Sequence, residues 1–336
     1  MQFKHPTRRR AITIFAAAAG AIVIAPLRSH ASVDYEWRGI AMGADARILF
    51  SRVEAETARA IMAAIVAEIE RLERALSLFR GDSEINRLNR KGAIEAPTGD
   101  MRRALTLALA VADATTGLFD PTVQALWEAY VDWFTAEPAD DSLPSEAVIA
   151  AARRAVNWRR IVLTPDLIQL GRGQRITLNG LGQGYVTDRI ADLMRARGLD
   201  CALVDLGEQR ALGPRSDGTP WFISRSGADP IMLTHGALAT SEGAGCIFGA
   251  GGAAHHLFDP RTGRSAARWQ RITVYHRLAA VADALSTALY AASAEEIEAS
   301  LSKFAGITVW ATDRAGHEQR WTVPSAEAPG AVNLSN

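Results

Sequence analysis

Residues 178–188 read Leu-Asn-Gly-Leu-Gly-Gln-Gly-Tyr-Val-Thr-Asp, and the reading of this stretch decides the fold. Arg175–Leu178 just before it has strand character, and Gly180 to Gly184 make a glycine-rich turn. Tyr185 to Arg197 carry a helical pattern, and Cys201–Leu206 supply an apolar strand, so the unit is βαβ-like. Glycines between strand and helix let backbone approach a phosphate, and free N–H groups at a helix start attract anions. The spacing, however, is GxGxG and not the GxGxxG of a dinucleotide fingerprint, and a plain tight turn explains the glycines as well. The unit also stands alone in mid-chain, outside any repeated βαβ series, which argues against a Rossmann domain. On either side strand and helix signals alternate irregularly and no internal repeat is visible, which predicts the α+β class with mixed sheets flanked by helices.

Toward the N-terminus, Ala46–Phe50 is a strand candidate and Glu54 to Leu78 a long amphipathic helix, with Ile61, Ile65, Ile69, Leu72 and Leu76 three or four apart. A second helix runs from Met101 to Thr115 and stops at Gly117; Asp120-Pro121 has the capping chemistry to start a third, through Phe134. Toward the C-terminus, Ile161–Leu170 folds back through Pro165-Asp166 as a hairpin. Short strands are expected around Trp221, Ile231, Ala254 and Ile272, helices at Ala282–Ala292 and Ala294–Phe304, and a closing hairpin from Ile307–Ala311 and Arg320–Val323.

The 336 residues are 48% hydrophobic and 22% charged, a globular composition that excludes disordered and fibrous classes. Lys plus Arg equals Asp plus Glu at 37 each, but residues 1–31 hold five bases, Lys4, Arg8, Arg9, Arg10 and Arg28, and no acid. The rest of the chain therefore has 32 bases against 37 acids and no basic stripe, which argues against nucleic acid as a partner. Thr7-Arg8-Arg9-Arg10, the apolar run Ala11 to Leu27 and Ser29-His30-Ala31 together have the layout of a secretory leader cleaved after Ala31. The run is interrupted by Gly20 and Pro26 and falls short of the roughly 20 residues that span a bilayer. Twin arginines favour Tat export and hence a periplasmic location. The expected organisation is a Tat-type signal peptide at 1–31, one domain at 32–324 and a loose tail at 325–336. Cys201 and Cys246 are too few for a disulfide framework or a zinc site.

Four constellations carry chemistry. Asp283, Ser286 and Thr287 are spaced to put three oxygens on one helix face, where they could hold a hard cation such as Mg²⁺; the ordinary alternative is Asp283 as an N-cap. His256 precedes the turn Asp259-Pro260-Arg261-Thr262-Gly263 and could act as a general base near neutral pH, or be structural. Thr116-Gly117-Leu118-Phe119-Asp120 is explained by capping alone. Met42 and Phe79 flank polar loops and could clasp a flat ring or belong to the core.

Taken together, in order, these segments resemble the ApbE family of FAD:protein FMN transferases. The resemblance rests on Ala41-Met42-Gly43; Leu76 to Ile85 (LSLFRGDSEI) with Arg87-Leu88-Asn89; Thr116 to Pro121; Leu178 to Asp188; Val204 to Glu208 (VDLGE); Ala239-Thr240-Ser241; His256 to Gly263 (HLFDPRTG); and Ala282 to Leu289 (ADALSTAL). It covers nearly the whole chain after the leader. Family membership implies an ApbE-like α+β fold and Mg²⁺-dependent transfer of FMN from FAD to a Thr or Ser hydroxyl of an acceptor protein, through a phosphoester and with release of AMP. By resemblance the metal is held by Gly180, Asp283 and Thr287, with Ser286 in an additional ligand position. The same comparison places Met42, Phe79, Leu118, Phe119, Asp120, Thr177, Gln183 and Phe258 around FAD, makes Asp283 catalytic through the metal, and has His256 activate the acceptor hydroxyl. Many members carry Asp where this chain has Thr177, and Lys or Glu where it has Gln183. LNG-x-x-QGY wording occurs among exported accessory proteins of respiratory systems, including nitrous oxide reduction, so the implied acceptor is a membrane-associated respiratory component. Two other readings share the site: a Mg²⁺-dependent FAD pyrophosphatase that uses water as acceptor, giving AMP and FMN, and a non-catalytic FAD-binding carrier.

Overall fold

Nine strands, taken in chain order, lie side by side as one antiparallel sheet: β1 (Ala25–Ser29), β2 (Ser32–Ala41), β3 (Ala44–Phe50), β4 (Ala202–Asp205), β5 (Gln209–Ala211), β6 (Gly236–Glu242), β7 (Trp269–His276), β8 (Ile307–Asp313) and β9 (Glu318–Val323). Every neighbouring pair is antiparallel, so the sheet is a meander into which helical segments are inserted between successive strands. This is a computed structural model, and it describes residues 12–13, 25–29, 32–136, 142–249 and 254–325. Most of the expected leader, Ala31 at its expected end included, and the expected tail beyond Ser325 lie outside the described residues.

The longest insertion, between β3 and β4, carries α1 (Ala55–Leu76), α2 (Glu84–Lys91), α3 (Gly99–Ala114), α4 (Gln124–Thr135), α5 (Glu146–Arg153) and α6 (Gly182–Arg195). Between β7 and β8 come α7 (Ala279–Leu289) and α8 (Ala294–Leu301). The expected stripe on α1 is the face that buries: Ile61, Ile65, Ile69, Leu72 and Leu76 are all in the core. Helix α7 is apolar nearly all round, and it is correspondingly enclosed, against β6 and β7 on one side and α6 on the other. The opposite face of the sheet is covered by a hairpin, Trp221–Arg225 with Ala228–Leu233, over Leu203, Leu238 and Trp310. Alternation along the strands sorts the two faces: Val309 joins the helical side and Trp310 the hairpin side. Among the described residues no helix is long and apolar enough to cross a membrane.

The α+β class holds, but the βαβ-like unit does not. Arg175–Leu178 pairs with no strand. The Asn89 side chain takes both polar groups of Ile176, donating to its carbonyl at 2.8 Å and accepting from its N–H at 2.7 Å, while the Thr177 N–H goes to the Pro121 carbonyl at 2.8 Å. A buried backbone segment needs its hydrogen bonds made, and here a side chain and a loop make them in place of a ladder. The hairpin at Val162–Leu163 and Leu167–Gln169 forms as expected. Helix α7 starts three residues earlier than expected, so Asp283 lies inside the helix and is not its N-cap.

The N-terminus of α7 is capped from outside the helix. Asp188 of α6 accepts from Ala279 N–H at 2.8 Å and Ala280 N–H at 3.0 Å, and it pairs with Arg210 of β5. All three partners are buried, so removing this carboxylate leaves an unpaired guanidinium and two orphan amides. Asp188→Ala should cost about 3–5 kcal/mol of stability, read by chemical denaturation; a loss under about 1 kcal/mol would mean the cap is dispensable.

Candidate active site

A cavity of about 530 Å³ opens where α4, the start of α6, the β4–β5 turn, the end of β6, residues 244–245 and 256–258, and α7 converge. Its walls include Trp127, Thr177, Gly180, Gln183, Glu208, His256, Phe258, Asp283 and Thr287. Among the described residues, no Lys or Arg lines it. Of the acids there, Glu242 has a cationic partner, Arg271, at 3.3 Å.

The glycine turn meets α7 edge to edge. A Cβ on Gly184 would sit 2.4 Å from the Ala279 carbonyl oxygen, and one on Gly180 would crowd Thr287 and Phe119 at 3.0–3.1 Å. The turn does not present a row of free amides: Leu181 and Gly182 N–H return to the Leu178 carbonyl, and Gly184 N–H donates to Asp283 Oδ2 at 3.0 Å. What it offers the cavity instead is the Gly180 carbonyl, 3.5 Å from Thr287 Oγ1. Asp283 is enclosed, and burial pushes its carboxyl up to about 7 against the pull of the Gly184 N–H. Two oxygens of neutral groups and a buried carboxylate suit a hard cation.

Two adjacent histidines have separate fates. His255 uses both ring nitrogens, one accepting from Leu257 N–H and the other 2.8 Å from the Ala266 carbonyl, which makes it structural. His256 lines the cavity and directs Nδ1 to the Cys246 carbonyl at 3.2 Å; that contact requires the proton on Nδ1 and leaves Nε2 as the basic nitrogen. Burial lowers the His256 pKa below its usual value, which keeps the ring neutral near pH 7.

Of the sequence-derived set, Thr177, Gly180, Gln183, His256, Phe258, Asp283 and Thr287 are brought together around this cavity. Ser286 is not: fully buried, its hydroxyl is 2.8 Å from Ser241 Oγ and donates to the Asp283 carbonyl at 3.0 Å, so it braces α7 against β6. Asp120 is also occupied, accepting from Thr122 N–H and hydroxyl and from Trp158 N–H. Met42, Leu118 and Phe119 are core residues, with Met42 reaching the start of α6 beside Gly182. Phe79 is 58% exposed and rests on Gly43. Cys201 and Cys246 are both free thiols. Trp127, Glu208 and Glu242 are among the wall residues that sequence reasoning did not single out as site residues. VDLGE carried a signal for Glu208, an acid directly after a turn glycine, but nothing in it says which cavity the turn faces.

A sequence profile of the ApbE family matches residues 42–310. A curated FAD:protein FMN transferase of Vibrio cholerae is 28% identical over 240 residues, covering 66% of this chain and 70% of the relative. One of Treponema pallidum is 27% identical over 308 residues, covering 82% and 83%. The crystal structure of the ApbE protein of Thermotoga maritima superposes with a TM-score of 0.75 at 26% identity, over 85% of this chain and 96% of that one.

Two measurements check the geometry. Gly184→Ala should destabilise by about 1–3 kcal/mol through overpacking at the α6–α7 contact, seen as a lowered denaturation midpoint; an unchanged midpoint would contradict that contact. Ring NMR should place the His256 midpoint below pH 6.5, and a midpoint at or above that value would contradict a buried neutral imidazole.

Proposed function

The chain belongs to the ApbE family, and from that premise we propose that it transfers FMN from FAD to a Thr or Ser hydroxyl of an acceptor protein, forming a phosphoester and releasing AMP. The observation that carries the metal requirement is the make-up of the cavity: among the described residues its walls hold Glu208, Glu242 and Asp283 but neither Lys nor Arg. A pyrophosphate cannot enter such a site favourably unless a cation accompanies it. Gly180, Asp283 and Thr287 fit Mg²⁺, which prefers one or two carboxylates and shares the remaining positions with substrate phosphates. Bound there, Mg²⁺ would neutralise pyrophosphate charge.

The residues of the chain then do the following. Neutral His256 accepts the acceptor hydroxyl's proton at Nε2. The freed oxygen bonds to the flavin-side phosphorus, the bond from that phosphorus to the bridging oxygen breaks, and AMP leaves with the bridging oxygen. Thr177 and Gln183 offer neutral hydrogen-bonding groups to the substrate, and Phe258 and Trp127 offer ring faces. Export by the twin-arginine leader to the periplasm, with cleavage after Ala31, belongs to the same proposal; it would remove β1 and leave an eight-stranded sheet beginning at β2. A respiratory membrane component is the proposed acceptor class.

Asp283→Asn should reduce transfer by at least about a hundredfold, the scale of losing a main electrostatic group, measured as covalent flavin on an acceptor protein. An unimpaired variant would overturn the metal assignment. Free FMN and AMP with no flavin on protein would identify a pyrophosphatase, and tight FAD binding with no AMP over long incubation a carrier. His256→Gln should slow transfer, and the acid limb of the wild-type pH profile should fall below pH 6.5, because burial lowers this imidazole's pKa.

A further inference from the structure

Glu208 sits at the β4–β5 turn, on the wall of the same cavity as Asp283. It is only 5% exposed. Gly207 before it has φ +105°, a backbone that a side chain would strain, and the Gln183 side chain occupies the space a Cβ would need. The Glu208 carbonyl accepts from Thr187 of α6 at 3.3 Å, so the turn is anchored from behind and the side chain is carried into the cavity wall. One contact to its carboxyl comes from the Thr240 backbone N–H. Its Oε2 is buried with no hydrogen-bond partner.

A buried carboxyl oxygen without a partner is costly even when neutral, and more so when charged. Nothing in the cavity wall relieves it. The wall carries no Lys or Arg, His256 is kept uncharged, Arg271 is engaged with Glu242, and Asp283 and Asp205 both add negative charge at Glu208. Among the described residues no group of three or more His, Cys, Asp or Glu forms a metal-binding cluster, so a cation here would have two carboxylates at most. A divalent cation that shares its coordination sphere with phosphate oxygens requires no more.

Building on the metal reading above, we propose that Glu208 is a further ligand of the divalent cation, closing on the ion together with Asp283 from the wall of the cavity they share. The pair also sets the order of binding chemistry. Without the cation, a pyrophosphate meets these acids with no positive group to receive it; with it, they anchor the ion that the pyrophosphate needs. FAD affinity is thereby conditional on the metal to a degree that a single carboxylate would not impose.

The test uses the folded full chain and Mn²⁺ as probe, followed by electron paramagnetic resonance, alone and with FAD present. Glu208→Gln keeps the shape and removes the charge; it should weaken Mn²⁺ binding at least about tenfold, the scale on which metal-site partners act. In chelator, the same variant should melt at or above the wild-type temperature, because a buried carboxyl oxygen without a partner is gone. Glu208→Asp keeps the charge but withdraws it by one methylene, and should fall between the two in Mn²⁺ affinity. This variant also keeps the test open if Glu208→Gln fails to fold. Mn²⁺ affinity unchanged in Glu208→Gln but lost in Asp283→Asn would overturn the role of Glu208 and leave the metal reading intact. A wild-type chain that takes up no Mn²⁺ in either condition would overturn both.

Discussion

Asp188 holds the site together without being in it. Its carboxylate reaches from α6 to the first two free amides of α7 and to Arg210 on the sheet, so one buried group joins two helices and a strand. Negative charge at a helix N-terminus is favourable, and here the same charge also answers a buried guanidinium. The position of α7 relative to α6 follows from that cap. Because Gly180 lies just before α6 while Asp283 and Thr287 lie on α7, the distances within the site depend on this joint.

The second constraint is close backbone approach. Gly184 lets α6 meet the first turn of α7 with no side chain between, and its own N–H becomes a ligand to Asp283. The same glycine thus removes steric bulk and supplies a hydrogen bond that holds the carboxylate in place. Around it the cavity is built on an unusual charge balance: acids in the wall, a histidine held neutral by burial, and, among the described residues, no positive side chain. A site of that composition relies on its ligands for positive charge. On the proposed metal reading, the cation and the anionic substrate would enter as one binding event.

Some of this was legible in the chain itself. The i, i+3, i+4 stripe of α1 is a direct readout of which face buries, and the closing hairpin and the amphipathic helices follow from the same periodicities. Arg175–Leu178 misled, because extended backbone looks the same in sequence whether its hydrogen bonds go to a neighbouring strand or to the side chain of Asn89. Asp283 resembled an N-cap because polar residues favour that position, and α7 begins four residues before it, where Asp188 caps the true end from another element. Ser286 shares a helix face with Asp283 and Thr287, yet a face is a wide arc, and the sheet claims its hydroxyl.

By itself the sequence determined the elements, the α+β class and an ordered set of motifs specific enough to point to one family, since these depend on local periodicity, turn chemistry and residue identity. The tertiary structure decided which of those motifs share a cavity. Meander pairing brings the β4–β5 turn beside α7, and only then does Glu208 become a partner of Asp283. Packing likewise turned His255 into a strut and left His256 on the cavity wall, because the two differ in what surrounds them and not in what they are. Proximity between distant segments, and the desolvation that comes with it, are properties of the packed chain that no local pattern encodes.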